Sequence, residues 1–483
     1  ARVWLQAIHA GSHGNADLCA YFFRGCARLL GRHGTLGFIA TDAIAQGDTR
    51  VTGLKWLVDA GWMIYEASTQ FHWPGAADVV AAVVHVAAGT PASIDLVKVL
   101  DGDRVATIDS RLRVGTERDD AVSLSANADL SFVGSYLLGQ GFVLTPQQRD
   151  ALLARQASNA ARLFPFLGGE ELNSQPRETL DRYVINFDQL PLEEAEQWPD
   201  LLKIVRDTVK PERELNHREN YRTKWWLYGE YRTGLYSALR SYGRCLVNSQ
   251  VSRHLVFAWR PVGYVFGHTL YVHVVESSTY FAIVQSRLHE QWARLLSSSY
   301  GGTGTVLRYR AAEVIGTFAF PRPDPRAVIP SLESVGERVY ASRAAYMVDN
   351  SVGLTTTYNR LKDPACADPR ILEMRTLHEE MDRAVLDAYG WSDIAVPPFC
   401  IATEADKKAL EAFENEVIDR LFALNAKRAE EEKLRGLGGP AGKGSKRHST
   451  AAAQAIEPAA TSTTKPKPRK PKGSSGPALP GVE

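Results

Sequence analysis

The sequence predicts an α/β fold for its first hundred residues, the second half of a doubly wound domain, and three observations predict it. Residues 16–31 (ADLCAYFFRGCARLLG) set Leu18, Tyr21, Phe22, Cys26, Leu29 and Leu30 on one side at helical spacing. Thr35 to Ala40 is a short apolar run that reads as a buried strand. Val79 to Val86 is rich in Val and reads as another. Gly31 and Gly34 mark the end of the first helix. Between the two runs, residues 51–61 read as a helix and Met63 to Ala67 as a strand. Helix, strand, helix, strand, strand is the order of such a half-domain. The chain begins at Ala1 and enters a helical pattern almost at once. That reads as a start inside a domain; processing of a longer precursor gives the same start.

A length of 483 residues is too much for one core, so two or three domains and a tail are expected. Hydrophobic residues make up 45% and charged residues 23%, the balance of a globular protein. The formal net charge is only +1, so a nucleic-acid footprint has to be local. The five cysteines (Cys19, Cys26, Cys245, Cys366 and Cys400) never form a C-x-x-C pair. That argues against a disulfide framework and a zinc site and fits a reducing, cytoplasmic location. The longest apolar run, Val79 to Ala88, contains His85 and is too short to span a membrane. No signal peptide is visible.

The rest of the chain divides by composition. A boundary is expected near residue 100, with a helix at 146–160 leading into a second domain. From Phe164 to Pro323, aromatics, Gly and short β-like runs predict an α+β domain. Its strands are placed at Tyr183–Phe187, Arg253–Trp259, Thr269–Val275 and Tyr280–Val284. Residues 328–347, 366–390 and 403–435 carry helical patterns and predict a helical unit. The expected divisions are therefore 1–100, 101–330, 331–435 and 436–483. The last is rich in Gly, Pro, Ala, Ser, Thr and Lys and should be disordered. Its run Lys465 to Lys472 (KPKPRKPK) reads as a solvated tail or as a loose phosphate contact.

Several motifs bear on chemistry. Gln70-Phe71-His72-Trp73-Pro74-Gly75 is an aromatic-Pro-Gly turn just before a buried strand. It leaves Trp73 at a loop mouth, where it could stack a base taken out of a duplex or simply pack under the turn. Residues 203–260 hold Lys203, Arg206, Lys210, Arg213, Arg218, Arg222, Lys224, Arg232, Arg240, Arg244, Arg253 and Arg260. They are interleaved with Trp225, Trp226, Tyr228, Tyr231, Tyr236 and Tyr242. The two tryptophans read as core and the basic cluster as a DNA-contacting region. No H-E-x-x-H spacing supports a metal, and no G-x-S-x-G elbow supports a hydrolase. Gly301-Gly302-Thr303-Gly304 lacks the strand–turn–helix context of a cofactor loop and reads as a loop of the second domain.

Residues 15–50 and 70–86 together resemble the later motifs of the amino-methylating DNA methyltransferases of the gamma arrangement. Asn15 to Phe22 (NADLCAYF) is similar to that family's helix bordering the cofactor adenine; the resemblance implies that Leu18 and Phe22 touch S-adenosylmethionine. Gly34 to Ile39 resembles the following strand, and Phe71-His72-Trp73-Pro74 the base-stacking turn. The resemblance thus implies catalytic roles for Trp73 and Pro74. Ile39 to Gly47, Val209 to Arg213, Leu307-Arg308-Tyr309 and Phe318 to Pro321 are similar to a narrower branch, the large adenine-specific type II restriction–modification enzymes that fuse methylase and endonuclease. So are Leu377 to Val385, Tyr389-Gly390-Trp391 and Leu424 to Arg428.

The resemblance covers nearly all of residues 10–435 and implies the carboxy-terminal portion of such an enzyme. The implied layout is the second half of a Rossmann-like methyltransferase domain, an α+β target-recognition domain and a helical C-terminal region. The family's Gly-rich cofactor loop, ribose-binding acid and Asn-Pro-Pro-aromatic motif are absent; no Asn-Pro occurs in the sequence. An N-terminal methyltransferase half is therefore missing, this chain alone is expected to be inactive, and any endonuclease lies upstream of Ala1. The expected partner is double-stranded DNA, with Arg213, Arg222, Lys224, Arg232, Arg244, Arg253 and Arg308 as its contacts. No membrane association is expected. Without the catalytic motif, adenine and cytosine amino groups both stay open as targets. A stand-alone DNA-binding specificity subunit that recruits a methyltransferase partner is the alternative.

Overall fold

The computed structural model describes residues 2–30, 34–74, 79–89, 96–176, 181–300 and 306–437. Gly31, Gly75 to Asp78, Gly301 to Gly304 and the basic tail lie outside the described residues. The fold is mixed α/β, and residues up to Pro440 cluster as one unit.

The amino-terminal part is built on a five-stranded sheet. Its strands are β1 (Thr35–Thr41), β2 (Trp62–His72), β3 (Val80–Ala88), β4 (Lys98–Leu100) and β5 (Asp103–Val105). Their order is β1-β3-β2-β4-β5. β3 is antiparallel to both neighbours and is Val and Ala throughout except for His85, so small and branched side chains cover both faces. Among the described residues β1 pairs with β3 alone, so its other edge meets no strand there. It is an edge strand rather than a buried one: only Ala40 is buried, and Ile39 is exposed.

The helix Leu18–Leu30 lies on this sheet, with Phe23 meeting Phe38 edge-on at 5.0 Å. Its inward side is Ala20, Tyr21, Phe23, Arg24 and Ala27. That corrects the face read from the sequence. Of the residues assigned inward, Leu18 is 53% and Phe22 64% exposed, and Leu29 points outward with them. The reason is close packing by small residues. Ala20 lies against Gly53, where an added Cβ would come within 3.1 Å of the Ala20 Cβ. Such a contact needs small side chains and is invisible to a hydrophobicity pattern.

The larger part of the chain packs around a four-stranded sheet in the order Phe257–Pro261, Arg244–Ser249, Leu270–His273, Ser131–Val133. The segment expected as a strand at Tyr280–Val284 is instead the helix Ser278–Gln285. Ser277 caps it by accepting the Tyr280 N–H, and every residue of it is buried. A helix buried on all sides has no one-sided period to reveal it. It crosses the helix Pro330–Asp349 at Gly336, where a Cβ would fall 2.5 Å from the Ser278 carbonyl oxygen. Gly336→Ala is therefore expected to destabilise the protein. Overpacking of about 1–3 kcal/mol outweighs a helix-propensity gain of about 1 kcal/mol. Urea midpoints of Gly336→Ala and of the exposed control Glu337→Ala check this.

The helices Pro330–Asp349, Pro369–Tyr389 and Glu404–Leu434 stand where periodicity predicts them. Val339, Met381 and Val417 share one core with Leu246, Phe281 and Trp292, so the helical region and the sheet are packed as a single body.

Candidate functional site

β1 and β2 are each antiparallel to β3 and so run parallel to one another, with their carboxyl ends at one rim. Thr41, Ala81 and Phe71 form a single row across the three strands. Just past that row, Asp42 leaves β1 and Trp73 leaves β2. The Trp73 N–H still donates to the Val79 carbonyl at 3.0 Å. Two strand spacings separate the departures, about 10 Å. Open α/β sheets bind ligands outside the carboxyl ends of their strands. Trp73 is 48% exposed there, and Pro74 is exposed beside it.

Two neighbouring cavities open along this rim and share Gln46. One, of about 300 Å³, lies between the rim and the helix Arg287–Leu296; Asp42, Thr69, Val80, Arg111, Arg113 and Arg294 line it. The other, of about 470 Å³, is lined by Asn15, Gln46, Gly47, Ser297, Arg308 and Arg310 among others. The amino-terminal sheet thus supplies one wall of a cleft and the larger body the other.

An ionic joint holds the walls together. Arg50, buried, donates to Ser110 Oγ at 2.7 Å and pairs with Glu117 at 3.3 Å and with Asp120. Arg111 pairs with the same Asp120 at 3.0 Å. The long C-terminal helix closes the joint from behind. Asn425 exchanges hydrogen bonds with the Val122 backbone at 2.9 and 2.8 Å, and Glu432 accepts the N–H groups of Ser125 and Ala126 at 2.7 and 3.0 Å. Arg118 reaches Asp419 of that helix.

The sequence-predicted residues do not gather in one place. Leu18 and Phe22 stand one turn apart on the outward face of their helix, available to a planar ligand or a further layer of protein. Arg213 is a correction: it is 2% exposed and cannot reach DNA. Its guanidinium donates to the carbonyls of Leu137 (2.7 Å), Leu138 (2.9 Å) and Leu227 (2.7 Å), tying two loops together. Burial lowers it to about 10, so it stays charged at neutral pH. Trp225 and Trp226 are buried in the core beside it, with Arg206 and Lys210 lying over the Trp225 ring at 5.8 and 5.6 Å.

Arg222 and Lys224 are exposed; Arg222 donates to the Asn216 carbonyl at 2.6 Å. Lys224 lines a smaller cavity of about 230 Å³ with Glu230, the carboxylate that pairs with Arg232. Arg244 lies over the Trp259 ring at 4.1 Å and donates to the Glu276 carbonyl. Arg253 is exposed and lines neither cavity of the cleft. Among these cations only Arg308 lines it.

The sequence reading missed Ser297, Arg310, Gln46 and Arg111. The segment Ile39 to Gly47 was singled out, but without a role for its Gln-Gly pair. Ser297 follows the helix Arg287–Leu296 as its C-cap, and nothing in its local sequence marks it. Among the described residues, no group of three His, Cys, Asp or Glu could hold a metal, and no helix is long and apolar enough to cross a membrane.

No family model and no curated protein matches the sequence. Solved structures do match the fold. The type IIL restriction–modification enzyme MmeI, in a structure with DNA, is similar at a TM-score of 0.64 and 16% identity, over 89% of this chain and 55% of that one. The fold is shared with a restriction–modification enzyme. This chain spans just over half of that enzyme's length. The type IIG restriction endonuclease BpuSI is similar over 79% of this chain and 50% of its own, at 11% identity and a TM-score of 0.28, too low to add weight.

Proposed function

We propose that this chain is the DNA-reading part, with half of the catalytic domain, of a site-specific DNA methyltransferase in a restriction–modification or antiphage system. The complete enzyme transfers a methyl group from S-adenosylmethionine to an adenine amino group in a short DNA sequence. The observation that carries the reading is the sheet β1-β3-β2, whose β1 edge meets no further strand among the described residues and whose strand-end rim carries the exposed Trp73 beside a cleft lined by Arg308. An edge with no partner strand among the described residues, together with the outward Leu18, Phe22 and Leu29, leaves backbone donors and apolar surface for further strands and helices to cover. That favours a divided catalytic domain over a stand-alone specificity subunit. The shared fold with MmeI supports a role in DNA recognition or modification.

The cofactor fit is partial. Leu18 and Phe22 offer an apolar wall suited to an adenine ring, and none of the cavities described above includes either residue. The cofactor, when bound, supplies the methyl group. The chain's own tasks are to border it, to receive the displaced base on Trp73 and to hold the duplex against the cleft. In the complete enzyme, Trp73→Ala is expected to lower turnover by about 10- to 100-fold, because stacking on an aromatic ring is worth about 1–3 kcal/mol per base. DNA affinity should change little. Tritium transfer from labelled cofactor to duplex DNA reads the first quantity and a binding titration the second. Unchanged turnover would remove the stacking role, and a complete enzyme that transfers no methyl group would remove the function.

A further inference from the structure

The cavity of about 470 Å³ in the cleft wall collects donors of one kind. A helix begins there at Gly47, whose φ is +47°, and runs through Gly47–Arg50, a π turn at Val51–Lys55 and Trp56–Asp59, thirteen residues without a break. Gly47, Asp48 and Thr49 of its first turn line the cavity, so the positive end of the helix faces it. The Arg310 guanidinium packs against this start; a Cβ on Gly47 would lie 3.5 Å from its Nη1. Arg308, two residues earlier and on the same side of an extended segment, is exposed and has no ion-pair partner among the described residues. Ser297 is 4% exposed, lines the same cavity, and its hydroxyl has no hydrogen-bond partner among the described residues. Buried hydroxyls are almost always paired, so this one points to a missing acceptor. Two carboxylates also line the cavity: Glu313 is paired with Arg310, and Asp48 lies 3.6 Å from His13, a pair that is ionic only when that histidine is protonated.

A helix N-terminus, an unpaired guanidinium and a free buried hydroxyl are the donor set of a phosphoryl group. We propose that this cavity holds one backbone phosphodiester of the bound DNA, gripped by Arg308, the Ser297 hydroxyl and the N–H groups that open the Gly47 helix. The proposal rests on the DNA-reading function above and adds a site to it. Such a contact fixes the register of the duplex against Trp73 without reading sequence.

The test is duplex DNA binding by this chain across a salt series, for wild type, Arg308→Gln and Ser297→Ala. Arg308→Gln should flatten the slope of log affinity against log salt by about one. Ser297→Ala should weaken binding by about fivefold, the loss of a single hydrogen bond of about 1 kcal/mol. Its melting temperature should stay level or rise, because an unpaired hydroxyl contributes no folded hydrogen bond. A chain that binds DNA with both variants at wild-type slope and affinity would overturn the phosphate site and leave the DNA-reading function standing. A wild-type chain that does not bind DNA would overturn both. Calorimetric binding of inorganic phosphate that Arg308→Gln abolishes, with DNA affinity untouched, would assign the cavity to a free phosphate and overturn the phosphodiester.

Discussion

Lowering the pH from about 7.5 to about 5 is expected to remove about 6 kcal/mol of folding stability, a large share of the 5–15 kcal/mol that holds a typical protein together, about 2 kcal/mol coming from each of three histidines. His273, His289 and His378 are fully or nearly fully buried. Burial pushes each imidazole down to about 3 from 6.5; for His378 the nearby Arg343 and Arg287 push the same way. Each sits neutral on a tyrosine hydroxyl: His273 on Tyr280 at 3.0 Å, His289 on Tyr309 at 3.0 Å and His378 on Tyr358 at 3.3 Å. The sign follows from proton counting. Below 6.5 the unfolded chain binds three protons that the folded chain refuses, so stability falls as the pH falls until the folded values near 3 are reached. Urea midpoints from pH 7.5 to 5 measure the loss. A flat profile would mean that these histidines take up protons in the fold as readily as in the unfolded chain. The consequence reaches the cleft, because Tyr309 lies between Arg308 and Arg310, and His289 holds its hydroxyl.

Asp382→Ala is expected to cost about 3–5 kcal/mol, the usual price of leaving a buried charge without its partner. Arg287 and Asp382 are both buried. The carboxylate accepts the Arg287 backbone N–H at 2.8 Å and the side-chain Nε at 2.6 Å. The other guanidinium nitrogens donate to the carbonyls of Pro398 (2.9 Å) and Pro397 (2.7 Å). The substitution leaves those two bonds and strands the cation. Replacing both residues by apolar ones of similar size (Arg287→Met with Asp382→Leu) should cost much less, because no buried charge remains. Melting curves of the single and double variants separate the two cases; equal losses would show that the pair acts by packing alone. Arg287 opens the helix that delivers Arg294 to the cleft and ends at Ser297, so the single variant should also weaken DNA binding.

The long helices were legible because their signals are redundant. Pro330 and Pro369 stand at first-turn positions, Thr403 and Asp406 form a capping box, and Gly390 closes one helix in the left-handed region. β2 and β3 were legible through their β-branched and aromatic residues. The failures share one cause: the deciding contacts are far apart in sequence. Ser278–Gln285 is buried all round, so no one-sided apolar period marks it as a helix rather than a strand. Leu18 and Phe22 look like core until Ala20 and Gly53 are seen to make the close contact instead. Arg213 sits in a basic run and reads as a DNA contact, yet it serves carbonyls of a loop some 75 residues earlier in the chain. The candidate site was legible only in part. Trp73 and Arg308 were named, but Ser297 and the start of the Gly47 helix join them only through the packing of two bodies.

The measurement that tests the central claim most directly is selection of this chain's binding sites from a random-sequence duplex pool at several salt concentrations. A DNA-reading part of a site-specific enzyme should enrich one short motif, with affinity that falls steeply as salt rises. Retention without any enriched sequence, or no retention even at low salt, would contradict it.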